Sequence, residues 1–326
     1  MNIIELFKKL LETKTETPND GGLLDFITTY LPGYTAIRID VEDVKNLFIY
    51  KEFSQGDHLC FAGHVDVVPA GKGWDTDPYE AYEKDGYIYG RGAQDMKGGV
   101  ASFVQAVKEA EHFNGTLSIL LTSDEEGEAL HGTVKALEYL KENELLPDYV
   151  VVAEPTCEKN FGDAIKVGRR GSINGYLTIK GKQGHAAYPE KAINPIHQLS
   201  QVLGEMAGVN IDDGDDFFSP SKFIITDIRS GMEVTNVTPN ELKMMFNVRT
   251  TITTQTEVRS FVAKYLNGLD YDLKLTQGSY PFQTDTNTKV VENIDKAIES
   301  VTGIKPKHST AGGTSDARFV AQFGID

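Results

Sequence analysis

Four short motifs of this chain carry side chains that could hold a metal ion and move a proton: His64-Val65-Asp66, Asp95, Asp124-Glu125-Glu126-Gly127 and Glu154. Each follows a short apolar run: Leu59 to Ala62, Tyr87 to Tyr89, Leu117 to Leu121 and Tyr149 to Ala153. Runs of that length read as buried strands, and in an open α/β sheet chemistry collects just past the carboxyl ends of strands. His, Asp and Glu with no nucleophile among them fit a metal of borderline-hard character, zinc best of all. The chemistry is then hydrolysis, which needs metal ligands plus one free carboxylate that accepts a proton from water.

His64 and Asp66 lie two apart, so on a continuing strand they share a face. His64 reads as a ligand and Asp66 as the carboxylate that orients its ring. Glu125 and Glu126 are adjacent and point apart on an extended backbone, so Glu126 reads as a ligand and Glu125 as the general base. The glycines of Gly90-Arg91-Gly92-Ala93-Gln94 and Met96-Lys97-Gly98-Gly99 let a strand turn sharply into a helix. They present Asp95 near a helix N-terminus, either as dipole compensation or as a bridge between two metals. Glu154-Pro155 leaves a buried strand, where a carboxylate is costly unless it meets a cation. Singly, each motif has an ordinary explanation, such as an acidic loop or a charged helix start. Convergence on neighbouring strand ends of one sheet explains them together.

The elements that must position these residues alternate from Met1 to about Val167. Helices are expected at 2–13, 20–31, 97–112 and 131–143, and strands at 35–40, 46–51, 58–63, 86–89, 116–122 and 148–153. This order predicts an α/β fold with a mostly parallel twisted sheet flanked by helices. From Gly171 the pattern changes to strand–helix–strand–strand–helix–strand. It comprises Ile173 to Ile179, a helix from Asn194 to Met206, strands near 222–229 and 241–250, a helix near 255–267 and a strand near 271–277. That is the order of an inserted α+β, ferredoxin-like domain with an antiparallel sheet. The expected division is 1–170 as the first part of a catalytic domain, 171–284 as the insertion and 285–326 as the second part. Within the last part a helix spans Val290 to Val301, and Gly312-Gly313-Thr314-Ser315-Asp316 turns into another. Val320 to Ile325 reads as the approach to a further core strand.

With 326 residues, 40% hydrophobic and 25% charged, the chain is long enough for two globular domains. A formal net charge of −16 argues against nucleic acid or an anionic membrane as partner, and no apolar run reaches membrane-spanning length. The N-terminal Met1 to Leu11 is an amphipathic helix and not a signal peptide. Cys60 and Cys157 lie in or beside apolar strands, which predicts two buried free thiols and a cytoplasmic setting.

Gly63 to Pro69, Tyr89 to Gly99, Ser123 to Gly127 and Ala153 to Thr156 resemble the dinuclear zinc amidohydrolases of the M20 peptidase family. Val167 to Ser172, Lys180 to Pro189, Asn194 to His197 and Ala311 to Phe319 narrow the resemblance to the branch that desuccinylates N-succinyl-diaminopimelate. It spans essentially the whole chain. It implies two Zn2+ per subunit, which Co2+ can replace. His64, Asp95 and Glu154 would hold one and Asp95 and Glu126 the second, with Asp66 orienting His64 and Glu125 as acid/base. It further implies a homodimer in which His185 of the partner subunit donates to the oxyanion. Arg169, Asn236, Arg249, Gly313 and Thr314 would bind the charged ends of this small-molecule substrate, a task for which Arg is suited by its bidentate bonds to carboxylates. His58, His112, His131 and His197 receive no role. Alternatives are acetylornithine deacetylation or dipeptide cleavage within the same chemistry, or a non-catalytic binding protein, which predicts loss of the base. The family takes a final His ligand to the second zinc from a C-terminal segment. The chain ends at Asp326 before that segment, and His308 does not match the position. The expectation is a truncated copy short of one ligand and of the last strand of the sheet.

Overall fold

The computed structural model describes residues 1–313 and 315–326; Thr314, one of the expected substrate contacts, lies outside the described residues. The chain forms two compact units. One comprises Met1–Ile165, Thr284–Lys307 and Ser315–Asp326, the other Lys166–Gln283 and His308–Thr314. The change of unit falls at Ile165 rather than at residue 170. Gly168 and Arg169 pair with Gln283 and Phe282, which commits the 166–170 segment to the second unit.

In the first unit the helices are α1 (Ile3–Glu12), α2 (Leu23–Tyr30), α3 (Gly98–Glu109) and α4 (Thr133–Glu142). The strands are β1 (Thr35–Arg38), β2 (Asn46–Glu52), β3 (Asp57–His64), β4 (Tyr82–Lys84), β5 (Tyr87–Tyr89), β6 (Gly115–Thr122) and β7 (Tyr149–Val152). Five of them make a sheet in the order β1-β2-β6-β3-β7. β3 runs parallel to both β6 and β7, while β1 and β2 add an antiparallel edge. Period-two alternation sorts the side chains between two layers. Leu47, Ile49, Ile119 and Leu121 face Leu6, Leu10, Ile27, Val100 and Val104 of α1, α2 and α3. Phe48, Leu120, Cys60 and Ala62 face Ala136, Leu137 and Leu140 of α4. Each fully buried Leu contributes about 1.5–3 kcal/mol, so helices on both faces hold β6, β3 and β7 rigidly. α1 starts on a capping box, in which Asn2 accepts from the Glu5 N–H at 3.0 Å and Glu5 accepts from the Asn2 N–H at 2.8 Å.

Three expectations are corrected here. Tyr87–Tyr89 is not a strand of the central sheet: it pairs with Tyr82–Lys84 in a separate hairpin, whose rings at 82, 87 and 89 are exposed. Val320 to Ile325 is no strand approach: Ala317–Gln322 is helical and buries Val320, and only at Asp326 does the main chain reach β7, through the Val150 N–H at 2.7 Å. Cys157 is exposed, lying on the irregular segment after β7, while Cys60 inside β3 is buried. Among the described residues no helix is long and apolar enough to cross a membrane.

The second unit is α+β. Its antiparallel sheet has the spatial order Phe223–Ser230, Glu241–Thr250, Gly171–Lys180, Tyr271–Ser279. Ile173, Leu177, Ile179, Leu242, Met244, Phe246 and Val248 face Leu199, Met206, Val258 and Val262 of its helices. The helix expected from Asn194 to Met206 is two, Pro195–Ser200 and Leu203–Met206, broken where Val202 bonds Leu199 instead of continuing the α ladder. The expected cap is present: the Asn194 side chain accepts from the Ile196 N–H at 3.0 Å.

Candidate metal centre

β3, β6 and β7 are adjacent and parallel, so His64 at the end of β3, Glu125 and Glu126 beyond β6 and Glu154 beyond β7 emerge at one edge of the sheet. Asp95 arrives by another route, a tight turn between the β4–β5 hairpin and α3. Two glycines make that turn fit. Gly92 has φ +81°, and a Cβ there would sit 2.6 Å from Val67 Cγ1; one on Gly99 would sit 2.2 Å from the Ala153 carbonyl oxygen. α3 therefore packs directly on the segment that delivers Glu154.

The result is a cluster. Ligand atoms of His64, Asp95 and Glu126 lie within 4.8 Å of one another, as do those of His64, Glu125 and Glu154. His64 is 1% exposed, with Nε2 3.1 Å from Asp95 Oδ1 and 3.5 Å from Glu154 Oε1. Its Nδ1 lies 2.9 Å from the Asp66 carbonyl oxygen, which can only accept, so the proton is assigned to Nδ1. Nε2 is then left facing carboxylates alone. Burial works against a charged ring, but Asp95, Glu154 and Asp66 outweigh it and hold His64 well above its ordinary value. An imidazole nitrogen that faces only acceptors must either stay protonated or share a cation. The donor set of one imidazole and several carboxylates fits a divalent metal ion.

The carboxyls around it differ in character. Asp95 is held below its usual range, chiefly by the bond to His64. Burial, followed by the charge of Asp95, pushes Glu126 up. Glu125 goes further, to about 8, through burial first and then the charge of Asp316. Glu125 also falls within one of the two groups, with His64 and Glu154, so a carboxyl at that place can either hold a cation or carry a proton.

Asp66 does its work differently from the reading of the sequence. Its carboxylate is 3.7 Å from His64 Nδ1; the ring is fixed by its main-chain carbonyl instead. The fully buried carboxylate accepts from Thr17 Oγ1 at 2.6 Å, from the Glu126 N–H at 3.2 Å and from the Glu125 N–H at 3.4 Å. Asp66 thus positions the glutamate turn as well as the imidazole. Asp124 closes that turn from inside, accepting from the N–H groups of Ala129 and His131.

Sequence reasoning missed Thr17, Met96 and Asp316. The Met96 sulfur accepts from the His64 N–H at 3.3 Å, and buried Asp316 accepts from Thr133 Oγ1 at 2.6 Å. Burial pushes Asp316 up to about 6. The contacts of Thr17 and Asp316 span 49 and 183 residues of sequence, so no local spacing signals them. His58, given no role, sits 2.7 Å from the buried Ser118 hydroxyl.

The second unit carries the other expected residues. His185 and Asn236 are brought together: His185 pairs with Val237, and the Ala186 N–H donates to the Asn236 carbonyl at 2.9 Å. Both side chains are exposed, and His185 Nδ1 accepts from the Ala187 N–H at 3.1 Å. Arg249 is exposed on its strand, opposite Ser172. Arg169 is 8% exposed and donates to the Ala311 carbonyl at 2.5 Å, beside Gly312, where φ is +102°. It supports the glycine turn that includes exposed Gly313.

A model of Peptidase family M20/M25/M40 matches residues 60–325. Succinyl-diaminopimelate desuccinylase of Sulfurimonas denitrificans is 72% identical over 327 residues, covering 100% of this chain and 90% of that protein. Among solved structures, aminopeptidase PepT from Bacillus cereus aligns with a TM-score of 0.81 at 21% identity, covering 99% of this chain and 87% of that one. Bacillus subtilis YXEP protein, described as a dinuclear metal binding peptidase from M20 family, aligns with a TM-score of 0.70 at 16% identity over 99% and 85%. At those identities the two structures speak for the fold alone.

Proposed function

The chain belongs to Peptidase family M20/M25/M40, and from that premise we propose that it hydrolyses the amide of N-succinyl-diaminopimelate to succinate and diaminopimelate. The observation that carries the reading is the buried His64 ringed by Asp95, Glu125, Glu126 and Glu154. The relative that is 72% identical over the full length of this chain bears the name of that activity. In this reading His64, Asp95 and Glu154 would hold one Zn2+, and Asp95 and Glu126 would hold a second. Zinc, when bound, supplies Lewis acidity toward the amide carbonyl and toward water.

The chain's own residues do the rest. Glu125 takes the proton of the attacking water and returns it to the leaving amine. That role suits a carboxyl whose value lies near neutral pH. Asp66 holds Glu125 and Glu126 by their main-chain N–H groups, so base and ligand keep a fixed separation. His185 of the partner subunit donates to the oxygen on which charge develops. Arg169, Arg249, Asn236, Gly313 and Thr314 bind the charged ends of the substrate, and exposure of Arg249 and Asn236 supports this. A homodimer in the cytoplasm belongs to the same reading, and two free cysteines suit a reducing compartment.

The test is turnover by zinc-loaded protein of N-succinyl-diaminopimelate, N-acetylornithine and a dipeptide, side by side. The proposal expects the succinylated substrate to lead in kcat/KM. Preference for either of the others moves the chain to another activity of the family, and no turnover of any leaves a binding protein.

A further inference from the structure

We propose that Lys97 is a positioning residue of the metal centre, its terminal amino group tying the turn that carries Asp95 to the segment that holds Asp66. The inference rests on the metal-dependent reading given above. Lys97 is 0% exposed, and its Nζ donates to the carbonyls of Leu10 at 2.8 Å and Thr13 at 2.9 Å. These lie at the C-terminal end of α1, where carbonyls lack helical partners and the helix dipole favours a cation. The Lys97 N–H also closes the Asp95 turn, donating to the Gly92 carbonyl at 2.9 Å.

From Thr13 the tether continues without a gap. Thr15 Oγ1 donates to the Val65 carbonyl at 2.7 Å, and the Val67 N–H donates to the Thr15 carbonyl at 2.9 Å. Thr17 Oγ1 then donates to Asp66 Oδ2 at 2.6 Å, and Asp66 holds the N–H groups of Glu125 and Glu126. On its other side the Asp95 turn is pinned by Met96, whose sulfur accepts from the His64 N–H. Lys97 therefore joins two halves of the cluster that come from distant parts of the chain. A buried amino group costs desolvation that an apolar side chain of equal length would avoid. Its contribution is the fixed distance between Asp95 and the Asp66 network, not hydrophobic stability.

The test compares Lys97→Met, Lys97→Arg and Val107→Ala, the last a core truncation near the far end of α3 that lowers Tm without touching the tether. Metal-free proteins are titrated with zinc alone against a chromophoric chelator, and kcat and KM are measured after loading. Lys97→Met is expected to weaken zinc binding by about 10- to 100-fold, as loss of outer groups around a metal does, with kcat falling more than KM rises. Lys97→Arg recovers part of the loss, and Val107→Ala binds zinc like the parent. Equal zinc affinity in Lys97→Met and parent, or an equal loss in Val107→Ala, overturns the inference. Should Lys97→Met not fold, Thr17→Val cuts the same tether at its Asp66 end, and unchanged zinc affinity there overturns it as well. A parent protein that takes up no zinc sinks the proposed function and this inference together, whereas tight parent binding with an unaffected Lys97→Met sinks the inference alone.

Discussion

The two units solve different problems with the same residue types. In the first, His64 is buried, Glu125, Glu126 and Glu154 are half-buried and Asp95 is exposed. Their ligand atoms gather in two overlapping groups, each within 4.8 Å, and main-chain bonds fix His64 and the Glu125-Glu126 turn. In the second, His185, Asn236 and Arg249 stand exposed on strand positions, and only Arg169 is buried. A metal needs its ligands fixed before it arrives, because several charges must converge at bonding distance. A charged substrate can be met by exposed groups, since it brings its own counter-charges and leaves again. Substitutions in the first unit should therefore change metal content and kcat, and those in the second KM and substrate choice.

The largest expected effect comes from Glu125→Gln. It removes the proton carrier while keeping size and turn, so kcat should fall by about 10²- to 10⁴-fold. Zinc content and KM should stay near those of the parent. A mutant that lost its zinc instead would make Glu125 a ligand and blur the separation of roles within the cluster.

Arg249→Ala sharpens the other side. Loss of a hydrogen bond to a charged group costs about 1.5–3 kcal/mol, so KM for the succinylated substrate should rise roughly ten- to hundredfold with zinc content unchanged. A fall in bound zinc would break the comparison, because an exposed residue of the second unit would then be governing the metal.

A smaller effect concerns the metal-free protein. Glu125 is held at about 8, against an ordinary 4.5, by burial and then by Asp316. Between those values the folded state keeps a proton that the unfolded chain releases. The residue's contribution to stability is therefore full below about pH 4.5 and is lost as pH rises through about 8. Tm of chelator-treated parent should fall across that window relative to Glu125→Gln, which cannot titrate. A parent that gained stability over the same range would show Glu125 to be stabilised as an anion.

The smallest effect is chemical. Burial pushes the Cys60 thiol up to about 12, while Cys157 is exposed. An alkylating reagent should modify one cysteine per folded chain, at Cys157, with Cys60 reacting only on unfolding.

Much of the first unit was legible because its signals are local. Apolar runs such as Leu117 to Leu121 are buried on both faces of the sheet and end at the residues that matter. What escaped was non-local. Tyr87–Tyr89 has the composition of a core strand, but its partner is the adjacent Tyr82–Lys84, and strand pairing is not written in a three-residue run. Asp66 was placed beside His64 by spacing, yet nothing in the spacing reveals that its carboxylate serves Thr17 and two N–H groups beyond β6. Lys97 stands in a glycine-rich stretch whose sequence says nothing of its burial, and only packing against α1 shows it buried. Cys157 lies beside an apolar strand, a place that predicts burial, but the chain has left the sheet by that point.

The central claim is that His64, Asp95, Glu126 and Glu154 hold metal together. It is tested most directly by crystals of zinc-loaded protein measured on either side of the zinc absorption edge. Anomalous density is expected within reach of His64, Asp95 and Glu154, with a second peak beside Asp95 and Glu126. Zinc bound elsewhere in the chain, with no peak among these four side chains, would contradict it.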